Sequence, residues 1–123
     1  MVVLDTHIWL WWMNNDAQLK PLWAEMIDRA DMVSVSAISL FEVAWLQKHG
    51  RIILPGNPVA WFEKALTGSN INLIPITPDI ATIAVGLTEY HSDPQDRIII
   101  ATSIANDAQL LSADTKFKLY PEL

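Results

Sequence analysis

Short apolar runs alternate along the chain with longer stretches in which apolar and polar residues recur at helical spacing. The short runs predict buried β-strands, because they are continuous and contain many β-branched residues. Four such strands are predicted, at 1–4, 32–36, 71–76 and 109–112. Pro75 lies within the third of them, and because proline cannot donate to a β-ladder it indicates an edge strand or a strand end.

The intervening stretches predict helices, each bounded by capping or breaking residues. The predicted helices cover 6–14, 19–30, 37–47, 58–66, 80–87 and 95–106, and a final helical turn covers 114–119. Strands that alternate with helices predict an α/β fold with a mostly parallel sheet. Their pattern does not give the order of the strands. Without repeats, linkers or low-complexity tracts, residues 1–123 are predicted to form one domain.

Composition excludes several classes of protein. Half of the residues are hydrophobic, which argues against disorder, and the absence of cysteine excludes disulfides, thiolate zinc sites and cysteine nucleophiles. No secretory signal is visible, and no apolar run approaches the roughly 20 residues that span a bilayer. We therefore expect a cytoplasmic protein without a membrane partner.

The net charge of −6 argues against a protein that binds nucleic acid mainly by neutralising phosphates. It leaves open an enzyme that meets phosphates through cations bound to carboxylates. The positions of the acidic residues therefore matter more than their number.

Two acidic residues stand out in the apolar pattern. Asp5 follows the first predicted strand, at the kind of sheet edge where ligands bind in α/β folds. Glu42 is the only charged residue in the stretch 32–47, and burying an unpaired carboxylate there would be costly. Each has a structural alternative, since Asp5 can cap the following helix and Glu42 can form a capping box with Ser39.

Three further aspartates lie where a helix begins. Asp93 is predicted to cap the long apolar helix, with Arg97 available as an ion-pair partner one turn later. Asp96 shares its helix face with apolar residues and is therefore drawn inward, although it also suits the positive end of the helix. Asp114 follows the fourth strand, as Asp5 follows the first, and its alternative role is to cap the final turn.

Convergence of four carboxylates at one sheet edge would require a neutralising cation, because like charges held together raise each other's pKa. The four are Asp5, Glu42, Asp96 and Asp114. Oxygen ligands of this kind suit Mg²⁺ or Mn²⁺ and leave coordination positions for water and phosphate. The chemistry indicated is hydrolysis at phosphorus by a metal-activated water.

The acids fall within four short motifs: Asp5-Thr6-His7, Ser39-x-x-Glu42, Asp93-Pro94-Gln95-Asp96-Arg97-Ile98-Ile99-Ile100-Ala101 and Leu110-Leu111-Ser112-Ala113-Asp114. In this order they resemble the signatures of PIN domains, and more specifically of the VapC-type toxins of type II toxin–antitoxin pairs. The resemblance extends from the first strand to the final turn. Each motif alone is weak, whereas the ordered set is specific.

The resemblance implies a function and a fold. Such toxins are Mg²⁺- or Mn²⁺-dependent endoribonucleases that hydrolyse RNA phosphodiester bonds, are inhibited by a cognate antitoxin and form homodimers. The family's acidic quartet would correspond to Asp5, Glu42, Asp96 and Asp114, which serve as both catalytic and metal-binding residues. The implied fold is a three-layer α/β/α sandwich with strand order 3-2-1-4, and with a fifth strand where relatives continue beyond Tyr120-Pro121.

Four more residues are secondary candidates for the site. Many relatives have asparagine where this chain has His7, so His7 either lines the site or only packs against it. Thr6 and Ser112 are placed either to contact a metal-bound water or to make ordinary strand-end hydrogen bonds. Asp93 completes the group.

The chain contains six tryptophans, too many for all of them to be buried in so small a domain. Tryptophan at this density is more often part of a core than of a recognition surface. The remaining options are a dimer contact, a groove for an antitoxin segment, and stacking on the bases of single-stranded RNA. The six tryptophans are Trp9, Trp11, Trp12, Trp23, Trp45 and Trp61.

Other α/β proteins with aspartates at strand ends fit less well. A phosphotransfer receiver domain needs an aspartate after its third strand, and Ile74-Pro75-Ile76-Thr77 has none. A haloacid-dehalogenase-like phosphatase needs a second aspartate where this chain has His7. The alternatives that stay open are a catalytically degenerate PIN-like binding or regulatory protein and a PIN-type nuclease that acts on DNA.

Overall fold

The computed structural model describes residues 1–88, 93–120 and 123, with the side chain of residue 118 excepted. Its centre is a parallel sheet of four strands in the order β3-β2-β1-β4, as the resemblance implied. The strands are β1 (Val2–Leu4), β2 (Val33–Ser36), β3 (Asn72–Ile74) and β4 (Gln109–Leu111). The edge position predicted for the proline-containing strand is therefore confirmed.

Six α-helices and a short 3₁₀ helix, called η1, connect and flank these strands. They are α1 (Thr6–Met13), α2 (Pro21–Arg29), α3 (Ile38–Lys48), α4 (Pro58–Leu66), α5 (Pro78–Gly86), α6 (Pro94–Ala105) and η1 (Thr115–Leu119). All the predicted helices are present, with ends that differ by one or two residues. Four of them begin at a proline, which is tolerated at the first helical position because its missing N–H would have no partner there.

Both faces of the sheet are covered, which makes the fold the three-layer α/β/α sandwich that was predicted. Val2 and Leu4 of β1 lie on one face, in a core shared with residues of α1, α3 and α4. Val3 faces the opposite way, into a core formed with α5 and α6. The first strand is thus buried on both faces, as its unbroken apolar run indicated.

The register of the sheet fixes where the strand ends meet. Val2 pairs with Val33 of β2 and with Gln109 of β4, so the two neighbours of β1 run level with it. The three strands consequently end at the same edge, next to Asp5, Ala37 and Ser112. This edge is where the predicted site residues lie.

Two sequence expectations concern the ends and the connections. Within the described residues the sheet has four strands, and residues 121 and 122, which bear on a fifth, lie outside them. Residues 89–92 of the polar connection that precedes α6 also lie outside. Among the described helices, none has the length and apolar character needed to cross a bilayer.

Candidate active site

A cleft of about 370 Å³ opens at the carboxyl edge of the sheet. All four predicted quartet residues line it, together with three of the secondary candidates. The lining residues are Asp5, Thr6, His7, Trp11, Glu42, Asp93, Asp96, Ile99, Ala113, Asp114 and Phe117. Ser112, the last candidate, contacts the cleft through Asp5.

Asp5 is held by hydrogen bonds to both of its carboxylate oxygens. Oδ1 accepts the backbone N–H of Ile8 at 2.9 Å, which caps α1, and Oδ2 accepts the hydroxyl of Ser112. The capping alternative is therefore confirmed, and Asp5 lines the cleft as well. Burial raises the pKa of this carboxyl, and the two hydrogen bonds work in the opposite direction.

Glu42 is positioned by contacts between α1 and α3. The hydroxyl of Thr6 lies within hydrogen-bond distance of both Ser39 Oγ, at 3.0 Å, and Glu42 Oε1. The capping-box alternative is wrong, because α3 begins at Ile38 and residue 37, not Ser39, occupies the N-cap. Thr6 and Ser39 are both buried, so the half-buried Glu42 is positioned by side chains that are enclosed in the fold.

Asp96 and Asp93 reach the cleft from the first turn of α6. Asp93 caps this helix, since its Oδ1 accepts the N–H of Gln95 at 2.8 Å. Asp96 is half-buried, and burial raises its pKa to about 7, helped by the negative charges of Asp93, Glu42, Asp114 and Asp5. The negative charges of these four neighbours all act on Asp96, which places it among the acids of the cleft.

Asp114 lies beyond β4, two residues after Ser112, which is level with Asp5. Its Oδ1 accepts the N–H of Lys116 at 2.9 Å, so it caps η1 as the structural alternative predicted. Its own N–H donates to Ser112 Oγ at 3.0 Å. Ser112 therefore links Asp5, which follows β1, to Asp114, which follows β4, across the two strand ends.

The donor set of the cleft suits a hard divalent cation. Its side chains offer carboxylate oxygens, and within the described part of the chain neither lysine nor arginine lines it. No three of its acidic or imidazole groups, among the described residues, converge closely enough to hold a metal by themselves. The arrangement fits an ion such as Mg²⁺, which keeps several of its waters and contacts one or two carboxylates.

Comparison with known proteins gives the family. The PIN domain model matches residues 2–123. Ribonuclease VapC22 of Mycobacterium tuberculosis is 34% identical over 118 residues, which make up 95% of this chain and 89% of that protein. This chain belongs to the PIN-domain family. Within that family it is related to the VapC proteins.

Solved structures support the same fold for this PIN domain. The structure of VapBC2 from Rickettsia felis, bound to a DNA fragment from its promoter, matches with a TM-score of 0.73 and 21% identity, over all of this chain and 96% of that one. VapC20 of Mycobacterium tuberculosis, a toxin that cleaves the sarcin–ricin loop, matches with a TM-score of 0.71 and 21% identity, covering 100% and 98% of the two chains.

Sequence reasoning missed some parts of the PIN-domain cleft. Phe117 forms part of its wall from η1 and is buried, yet a single phenylalanine in a short terminal turn gives no signal of this role. Ile99, one of the apolar residues on the same helix face as Asp96, also lines the cleft. His7 is exposed and lines the cleft, which settles the choice between lining and packing alone.

Proposed function

We propose that this PIN domain is a divalent-metal-dependent endoribonuclease and the toxin of a toxin–antitoxin pair. The observation that carries the proposal is the convergence of acids from four parts of the chain on one cleft. The raised pKa of Asp96 supports it, because the causes after burial are its four acidic neighbours. The relationship to Ribonuclease VapC22 supports RNA as the substrate.

The residues proposed to bind the cation, directly or through its bound waters, are Asp5, Glu42, Asp96 and Asp114. When bound, Mg²⁺ or Mn²⁺ supplies charge stabilisation at the phosphate and lowers the pKa of water. Ser112 and the N–H of Ile8 fix the Asp5 carboxylate, and Thr6 fixes that of Glu42, so little ordering is left for the moment of binding. With a pKa of about 7, Asp96 is roughly half protonated at neutral pH in the metal-free cleft, and a bound cation would displace this proton.

The first experiment measures cation binding by thermal unfolding. Mn²⁺ or Mg²⁺ should raise the Tm of the wild type by several degrees, because a ligand that binds only the folded state stabilises it. Asp96→Asn should remove most of this rise. A Tm that ignores both cations would contradict the proposed metal site.

The second experiment measures cleavage of folded RNA that carries exposed loops. Endonucleolytic products should appear with Mg²⁺ and disappear with EDTA, and Asp5→Ala or Glu42→Gln should lower the rate at least about 100-fold, since each removes a carboxylate proposed to hold the cation. The matched control is Asp79→Asn, which removes an exposed acid from the first turn of α5, outside the cleft. If His7→Ala were more damaging than Asp5→Ala, the proposed chemistry would be wrong.

The similarity to known proteins also supports a proposal about the partners of this protein. Structures similar to this chain include a toxin–antitoxin complex from Klebsiella pneumoniae, with a TM-score of 0.70 and 22% identity, over 99% of this chain and 94% of that one. We propose that a cognate antitoxin inhibits this protein, and that it acts in the cytoplasm as a homodimer. Copurification with the product of the adjacent reading frame would test the first point, and light scattering the oligomeric state.

A further inference from the structure

A second groove adjoins the acidic cleft. Its volume is about 330 Å³, and it is lined by Trp11, Gln18, Lys20 and Trp23 on one side and by residues 112–115 on the other. Trp11 and two residues of the 112–115 segment line both the groove and the cleft. The two depressions therefore adjoin each other along a shared wall.

Aromatic rings mark the path from the cleft into the groove. His7 lies at the cleft, its ring centroid 6.1 Å from that of Trp11, and the Trp11 centroid is 6.3 Å from that of Trp23. Both tryptophans are only half-buried, although they touch the core. Part of each ring therefore faces the groove and is not buried against the rest of the protein.

The groove has one lysine, Lys20, beside one acid, Asp114, whereas the described lining of the cleft has five acids and no lysine or arginine. The ammonium of Lys20 lies 5.1 Å from the centroid of the Trp23 ring, over one of its faces. Because Lys20 is exposed, this contact shows that the ring face can be reached from solvent. An acidic cleft, a row of rings and then a cation thus follow one another along two adjoining depressions.

We propose that this groove binds a nucleotide of single-stranded RNA next to the phosphodiester bond that is cleaved. The base stacks on Trp23 beside Trp11, and Lys20 moves from the ring to the phosphate of that nucleotide. The proposal rests on the proposed ribonuclease function and adds to it a subsite, in which Trp23 and Lys20 hold the nucleotide.

The chemistry of the groove favours RNA over a peptide. Aromatic platforms beside a cationic group bind single strands with little dependence on sequence, because every base has a π-face. Phosphates need a protein cation where no metal ion is available, and Lys20 is the only lysine or arginine among the described residues that line the cleft or the groove. The competing occupant of this groove is an antitoxin segment, and substitution of Trp23 distinguishes RNA binding from antitoxin binding.

The test measures binding of a labelled single-stranded RNA 12-mer by fluorescence anisotropy, with Mg²⁺ and in a Glu42→Gln background to prevent cleavage. Trp23→Leu should raise the Kd about tenfold, the typical loss for one stacked base. Trp23→Phe keeps a ring and should recover most of the affinity. Lys20→Gln should lower the slope of log Kd against log salt by about 0.7, as expected for one phosphate contact on a single strand.

The chain offers a matched control pair at the C-terminal end of α3, formed by one residue of the helix and one that follows it. Trp45 is exposed, and the Arg51 guanidinium lies 5.8 Å from its ring centroid, so the pair repeats the contact between Trp23 and Lys20. Neither residue lines the cleft or the groove. Trp45→Leu and Arg51→Gln should leave the Kd within about twofold of the background, since neither a stacked base nor a phosphate contact is lost.

Abasic probes distinguish stacking from a general loss of structure. Removing the base at one position of the 12-mer should weaken binding to the background protein about tenfold and have little further effect in the Trp23→Leu variant. An equal abasic penalty in both proteins would overturn the proposal. So would a Trp23→Leu variant that binds RNA normally but no longer binds the antitoxin.

Failure of the ribonuclease proposal would look different. In that case Asp5→Ala would leave RNA cleavage unchanged, or no cleavage would occur with any divalent cation. The anisotropy experiment does not depend on cleavage. A Trp23-dependent abasic effect would then still support a groove that binds single strands. If the abasic effect were absent while RNA cleavage was normal, only the groove proposal would be overturned.

Discussion

At the scale of single residues, a carboxylate can cap a helix and line the acidic cleft at once. Asp5 gives one oxygen to the N–H of Ile8 and the other to Ser112, and Asp114 both caps η1 and lines the cleft. Sequence reasoning treated these roles as alternatives. They coexist because a carboxylate has two oxygens and because helix N-termini at the carboxyl edge of a parallel sheet point into the site.

The raised pKa of Asp96 predicts how stability depends on pH. The folded protein keeps a proton on this carboxyl up to about pH 7, whereas the unfolded chain loses it near 3.8. The stabilisation is therefore complete below about pH 4 and is lost as the pH rises through 7. In EDTA at pH 8, Asp96→Asn should be more stable than the wild type, by on the order of 1 kcal/mol because solvent screens a half-exposed group.

Urea unfolding from pH 4 to 8 measures this effect. The advantage of the Asp96→Asn variant should grow across that window in EDTA. Saturating Mn²⁺ should reverse the ranking, because the cation neutralises the carboxylates of the wild type and binds the variant weakly. Parallel pH profiles for the two proteins in EDTA would refute the prediction.

At the scale of helices, Arg97 joins α5 to α6. Its guanidinium donates to the carbonyls of Ala84, Val85, Leu87 and Thr88 at 2.8–3.3 Å, which satisfies the end of α5 and its dipole. Helical spacing pointed instead to Asp93 as its partner. Contacts between elements depend on how the helices pack, which spacing along one helix does not reveal.

Arg97→Gln should lower the free energy of unfolding by about 2–3 kcal/mol, because four carbonyls lose a charged donor and those of Ala84 and Leu87 are part-buried. Arg97→Lys should restore little, since an ammonium lacks the planar fork that reaches several carbonyls. The control is Arg29→Gln, which breaks an exposed pair with Glu25 and should cost less than about 1 kcal/mol. Equal losses for the two glutamine variants, measured in urea, would show that Arg97 does not act as a cap.

Sequence reasoning predicted the elements well because hydrophobic periodicity and proline positions act locally. Pro21, Pro58, Pro78 and Pro94 each mark the start of a helix in the structure. The pattern also showed which acids lie at strand ends. The strand order came only from resemblance, because pairing between distant strands leaves no periodic signal. The link from Thr6 to Glu42 could not be predicted either, since it depends on how α1 packs on α3.

At the scale of the whole molecule, the net charge indicates what kind of partner binds. A net charge of −6 and an acid-lined cleft attract a cationic peptide as well as a metal ion. We expect the antitoxin to insert an arginine or lysine into the cleft, where the planar fork of arginine suits a carboxylate best. Mn²⁺ and the antitoxin should then compete, and binding should weaken as salt rises. Calorimetric titration with and without Mn²⁺ checks this, and an affinity indifferent to the metal would exclude insertion at the quartet.

The hydrogen bond between Ser112 and Asp5 joins residues that are 107 positions apart, whereas Thr6 and Glu42 are separated by 36. A nascent chain leaves the ribosome N-terminus first, so β1 and β2 can pair long before β4 has been made. The cleft thus lacks its last wall until β4 and the segment after it have been made. For the proposed ribonuclease, this order of synthesis postpones activity until residues 109–114 have left the ribosome.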